Sequence, residues 1–160
     1  FYRMRWAGLT IVLVLSLAYV MNFSGQTISI GVWLAGTGAA YAFLSPLLGW
    51  IGTAVTGSDT SANALFAKLQ QTAAVELNVH PELTVAANTS GGVVGKLISP
   101  QNLAIAATAA NMPGQESVIF RKVIGWSLVL VLFLCLLIGL QSTPVLGWML
   151  AGLDLAPLGG

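Results

Sequence analysis

Two charged side chains stand where the rest of the sequence avoids charge. Asp59 lies in "TGSDTSAN", 56–63, and Lys96 lies in "NTSGGVVGKLISPQN", 88–102. Glycines, hydroxyls and amides surround both, a mixture that supplies turn backbone and hydrogen-bonding groups together. A helix N-terminus formed at such a break offers N–H groups to an anion, and freed carbonyls can hold a cation. Lys96 suits a carboxylate ligand or an ion pair with Asp59. Asp59 suits a proton carrier, because a carboxylate withdrawn from water favours its protonated form. Structural readings stand beside these. Asp59 could cap a helix starting near Thr60, and Lys96 could snorkel from a helix end. Lys68, with Gln70 and Gln71 nearby, reads as a hairpin-arm residue near water rather than a ligand.

The remaining chemical signals are weak. "GGVVGK" has three residues between Gly91 and Gly95, and Leu97 follows Lys96; a phosphate-binding loop needs four residues between its glycines and Ser or Thr after the lysine. Small-residue helix packing explains it better. "NTS" at 88 and "NFS" at 22 match the glycosylation pattern but fall within or beside apolar segments. His80 has no metal-ligand company, and the one cysteine, Cys135, sits in an apolar run as a packed or lipid-facing thiol. No nucleophile–histidine arrangement is visible, so the sequence points away from an enzyme. The six basic residues are scattered, which gives no footprint for nucleic acid.

The elements that must hold these residues are membrane elements. Only 7% of the 160 residues are charged, 56% are hydrophobic and the mean hydropathy is +0.86. Soluble domains carry about 25% charged residues. The apolar run 6–22 reads as a helix, interrupted by "NFSGQT" at 22–27. Residues 28–55, broken by glycines and Pro46, read as two short pieces. The segment 64–77 is helical in composition but too polar for lipid, and "NVHPE", 78–82, reads as a turn outside the hydrocarbon. Residues 83–110 have two apolar halves around a polar middle, and 111–122 reads as a hydrophilic loop. Residues 123–140 form the cleanest span, about 27 Å of helix. The weak apolar piece at 145–153 has no clear place. Basic residues at Arg3, Arg5, Arg121 and Lys122 put 1–5 and 111–122 on the cytoplasmic side, with 76–82 external. The chain opens on Phe1 and leads directly into an apolar run, and so reads as the start of a membrane helix within a longer protein.

Non-helical backbone at membrane depth persists only inside protein or beside water. The expectation is therefore an all-α integral membrane fold. It has a re-entrant hairpin at 40–77 with its tip at 56–63, a broken helix at 83–110 and helices at 6–22 and 123–140. A hairpin tip facing an interrupted helix is a transporter-like arrangement.

The quoted residues also carry a resemblance. "LSPLLGWIGTAVTGSDTSANALFAKLQ", "AANTSGGVVGKLISPQNLAIAATA" and "YVMNFSGQT" resemble the C-terminal part of the bacterial lactate permease family, glycolate permeases included, over roughly residues 15–125. The resemblance implies a multi-pass protein of the bacterial inner membrane that carries lactate, glycolate and similar 2-hydroxymonocarboxylates with protons. It also implies that this chain is the last third or less of a longer transporter. "SDTSAN" followed by "SPQN" looks more distantly like the hairpin tip and broken helix of the wider ion transporter superfamily, where two inverted repeats complete the site. Asp59 stands where those tips carry Asn, which favours protons over sodium. The resemblance thus implies a second repeat whose polar breaks line half of a site: Ser58, Thr60, Ser61, Asn63, Asn88, Thr89, Ser90, Gly91, Gly92, Lys96, Ser99, Gln101 and Asn102 for substrate, with Asp59 coupling the proton. The missing N-terminal repeat would be the partner, with the lipid bilayer around both and no cofactor. Two alternatives remain open at this point: a sodium-coupled carboxylate transporter, and a non-transporting membrane subunit that only packs against others.

Overall fold

The computed structural model describes the backbone of residues 5–150, with side chains at Leu9 and from Val12 onward. All its regular structure is helical, as the sequence led us to expect. The helices are α1 (Arg5–Phe23), α2 (Gln26–Ala35), α3 (Ala40–Thr56), α4 (Asp59–Glu76), α5 (Pro81–Gly95), α6 (Pro100–Ala109) and α7 (Glu116–Gln141), with 3₁₀ turns at Lys96–Ile98 and Gly147–Leu150. Arg3, the Arg5 side chain and the end of the apolar piece at 145–153 lie outside the described residues.

Local chemistry explains where the chain bends. At "NFSGQT" it turns by 73° between α1 and α2, with Gly25 at φ 75°. Between α3 and α4 it reverses over Gly57 and Ser58. Gly57 takes φ 73°, a left-handed conformation that glycine adopts without strain, and its N–H donates to the Thr53 carbonyl at 2.8 Å. Pro46 lies inside α3 and cannot donate to the carbonyl of Ala42, which instead accepts the Ser45 hydroxyl at 3.1 Å. The α4–α5 turn passes through Asn78 at φ 52°, and Pro81 opens α5 at a position where no N–H is needed.

The polar, glycine-containing middle of 83–110 is helical almost throughout. α5 runs unbroken to Gly95, and the interruption is confined to 96–99. The glycines serve packing rather than unwinding. A methyl group at Gly91 or Gly95 would overlap the carbonyl of Pro46 or Trp50, and one at Gly49 would overlap the carbonyl of Asn88. α3 and α5 therefore meet backbone to backbone, as membrane helices with small interface residues do. Ser127 of α7 ties the seam together: it accepts from Trp50 Nε1 at 2.9 Å and donates to the Val94 carbonyl at 3.2 Å.

α7 begins at Glu116, so the polar stretch 116–122 is helical rather than part of the preceding loop. An acidic residue in its first turn suits the helix dipole. α7 buries Ser127, Val131, Cys135 and Ile138 on one face. Its other face exposes Trp126, Val129, Phe133 and Leu136. Among the described residues α7 alone is by itself long and apolar enough to cross a membrane; α1 and α2 qualify only together, as one bent span. The interior mixes small and apolar residues with polar ones. Ser45, Thr53, Gln70, Thr84, Asn88, Ser99 and Ser127 are buried, while large apolar side chains cover the outside.

Candidate functional site

The α3–α4 tip and the α5–α6 break lie side by side. The Gln101 side chain, at the start of α6, packs against the tip: a methyl group on Gly57 would come within 2.9 Å of its Oε1. Two helix N-termini meet here, and a serine caps each. Ser58 Oγ accepts from the Ser61 N–H at 3.3 Å, and Ser99 Oγ accepts from the Asn102 N–H at 3.4 Å. Ser58, not Asp59, caps α4; Asp59 is the first residue of the helix itself. That relieves the carboxylate of capping and leaves its placement to be explained by its neighbours.

Those neighbours form a continuous buried chain. Tyr41 Oη donates to Gln70 Oε1 at 2.6 Å, and Gln70 Nε2 donates to the Ser45 carbonyl at 2.8 Å and to Asn88 Oδ1 at 3.3 Å. Asn88 Nδ2 donates to Asn63 Oδ1 at 2.8 Å, where the Thr89 hydroxyl also donates at 3.1 Å. Asn63 Nδ2 then donates to Asp59 Oδ2 at 3.3 Å. Tyr41, Gln70 and Asn88 are almost fully enclosed. Gln70 is thus an interior residue; Lys68, read from sequence as lying near water, is exposed and bonds Gln71 at 3.1 Å. An alternation of small and apolar residues on α4 (Ala62, Leu69, Ala73) marks the buried face that Gln70 shares, a signal the composition of 64–77 obscures.

The other carboxylate oxygen has no partner. Asp59 Oδ1 and Thr53 Oγ1 are both buried and unbonded, and both border the same space above Gly92. Thr53 and Tyr41 were not among the sequence candidates; each lies in α3, which reads as an apolar helix.

The sequence candidates divide by exposure. Thr60, Thr89, Lys96 and Gln101 are exposed around the tip, and Ser58, Ser61, Asn63 and Ser90 are half-buried. Asn88, Gly91, Gly92 and Ser99 are buried within the helix seam. Asn102 Nδ2 and Ser99 Oγ both donate to the Lys96 carbonyl, at 2.9 and 3.0 Å. Lys96 bonds neither oxygen of Asp59. A cavity of about 500 Å³ lies elsewhere, where Phe43 of α3 and Leu77 after α4 meet Leu136 and Leu140 of α7.

Comparison with known proteins bears on most of the chain. The family model described as L-lactate permease matches residues 1–145. The chain belongs to the L-lactate permease family. It is 52% identical over 126 residues to glycolate permease GlcA of Escherichia coli K12, covering 79% of this chain and 22% of that protein. It is 49% identical over 142 residues to the L-lactate permease of Bacillus subtilis 168, covering 89% and 25%. The L-lactate permease of E. coli K12 is 49% identical over 138 residues, covering 86% and 25%. The chain therefore spans about a quarter of the length of these relatives. No solved structure matches it. The relatives are permeases rather than enzymes, in agreement with the sequence, and membership of the lactate permease family makes this a membrane chain.

Proposed function

We propose that this chain supplies one half of the binding site of a multi-pass permease that carries lactate, glycolate or a similar 2-hydroxymonocarboxylate together with a proton across the bacterial inner membrane. The observation that carries this reading is the tip. Two serine-capped helix N-termini converge on it, with exposed hydroxyl and amide groups outside and a carboxylate oxygen, Asp59 Oδ1, left unpaired within. N–H groups and the positive ends of two helix dipoles suit a substrate carboxylate. Ser58, Thr60, Ser61, Ser90 and Gln101 are placed to read its oxygens and its 2-hydroxyl, and Lys96 adds positive charge beside them. Asn63, Asn88, Thr89 and Asp59 form the layer beneath. Asn102 and Ser99 hold the break closed, and Gly91 and Gly92 let α5 approach closely. Residues 40–77 serve as a re-entrant hairpin against the broken helix 83–110, in the manner of the second of two inverted repeats. The other repeat completes the site, and movement of the hairpin-bearing part alternates access.

The test uses a permease in which this chain replaces the matching quarter of the B. subtilis relative, reconstituted in vesicles. Labelled L-lactate is expected to accumulate when the lumen is made alkaline, and unlabelled glycolate is expected to compete. Accumulation driven by a sodium gradient and indifferent to pH would replace the proton reading with the sodium one. A folded chimera with no uptake under either gradient would sink the transport reading.

A further inference from the structure

The direction of every hydrogen bond in the buried chain is set at one end. A backbone carbonyl can only accept, so the bond at the Ser45 carbonyl must come from the amide nitrogen of Gln70. Gln70 Oε1 then faces Tyr41, whose hydroxyl has to donate. The second N–H of Gln70 points at Asn88 Oδ1, which turns Asn88 Nδ2 toward Asn63 Oδ1 and Asn63 Nδ2 toward Asp59. Each link donates toward the carboxylate.

A proton on Asp59 Oδ2 would set a donor against the Asn63 donor. Relief would require every amide in the chain to flip, and the last flip would press the Gln70 carbonyl against that of Ser45. Leaving buried polar groups unpaired in this way is unfavourable. Oδ1 meets no such obstacle. It makes no hydrogen bond, and the nearby Thr53 Oγ1, on a residue with 0% exposure, makes none either; that hydroxyl can turn to donate to Oδ1 or to accept from it. A methyl group on Gly92 would overlap Oδ1 and come within 2.8 Å of Thr53 Oγ1, so the glycine lets both oxygens pack against α5.

We propose that the coupling proton binds Asp59 on Oδ1, where that buried oxygen faces the Thr53 hydroxyl over Gly92, while the Tyr41–Gln70–Asn88–Asn63 chain reserves Oδ2 as an acceptor. This rests on the transport reading above and adds Thr53 as a proton-site residue and Gln70 as the positioning residue. In the binding step a hydronium ion gives its proton to Oδ1 and leaves as water. Asp59 becomes a neutral acid whose new O–H is accepted by Thr53 Oγ1. Lys96 is the charged group whose field reaches Asp59. α3 and α6 carry no Asp, Glu, Lys or Arg, Glu82 lies at the far end of α5, and Lys68 and Glu76 lie more than two turns along α4.

The experiment follows the infrared carbonyl band of protonated Asp59 against pH in the vesicle-reconstituted chimera, assigned by its loss in Asp59→Asn. Thr53→Val keeps the side chain's shape and removes the acceptor. It is expected to move the midpoint of the band to lower pH by about one unit, the equivalent of one hydrogen bond of roughly 1.4 kcal/mol, and Thr53→Ser is expected to restore it. A midpoint unchanged in Thr53→Val overturns the proposal, as does one moved to higher pH, the sign expected of a hydroxyl that donates to the carboxylate, or a band removed by sodium at constant pH. Lactate uptake measured alongside separates the two readings. Uptake with no titrating Asp59 band refutes this site alone, whereas a titrating band without uptake supports the site and refutes the transport reading.

Discussion

The α3–α4 tip and the α5–α6 break are built from the same parts and finished differently. Each carries a serine cap at a helix N-terminus, and each interrupts an otherwise helical path. At the break the carbonyl of Lys96 is fully engaged, accepting from the Ser99 N–H at 3.3 Å, from Ser99 Oγ and from Asn102 Nδ2. At the tip two buried oxygens, on Thr53 and Asp59, are left without partners. Buried polar groups are normally satisfied, so the unfinished end is the one open to chemistry. The break, with its bonds closed, serves as a rigid wall against which the tip is set.

The contrast can be broken from its structural side first. Gln70→Leu strands the Tyr41 hydroxyl and the Asn88 oxygen inside the protein, and is expected to cost about 3 kcal/mol in unfolding measured in detergent. Gly95→Ala pushes α3 and α5 apart at the Trp50 carbonyl, and is expected to cost about 1–3 kcal/mol in the same measurement. Ser99→Ala removes a cap and is expected to cost about 1 kcal/mol. Because it acts on the wall rather than the tip, the ratio of gradient-driven accumulation to exchange in the chimera should stay as in the parent. A Ser99→Ala variant that uncouples transport, or that moves the Asp59 band as far as Thr53→Val, would erase the distinction between the two ends.

The sequence made the tip and the break legible because charge, glycine and hydroxyls stand out in a chain with so few polar residues. Helical content followed from the same apolar background, and the resemblance of the long motifs named the family. What it hid is equally physical. "GGVVG" is consistent with an unwound segment or with a seam, and only the approach of α3 to within backbone contact decides for the seam. Gln70 sits in a polar stretch, where only the small and apolar face of Ala62, Leu69 and Ala73 separates it from the exposed Lys68 two residues earlier; its burial comes from α3 and α5 packing over one face of α4. Thr53 reads as one hydroxyl in an apolar helix until the chain reverses at Gly57 and brings Asp59 back over it. Such pairings depend on tertiary approach between helices, which no periodicity encodes.

The central claim is that Asp59 couples a proton to substrate movement. Its most direct test is labelled L-lactate transport by the chimera under an imposed pH gradient, with Asp59 and with Asp59→Asn, compared with exchange measured without a gradient. A collapse of accumulation relative to exchange in the Asn variant is the predicted result. An Asn variant that concentrates lactate as well as the parent would contradict it and leave Asp59 a structural residue at the start of α4.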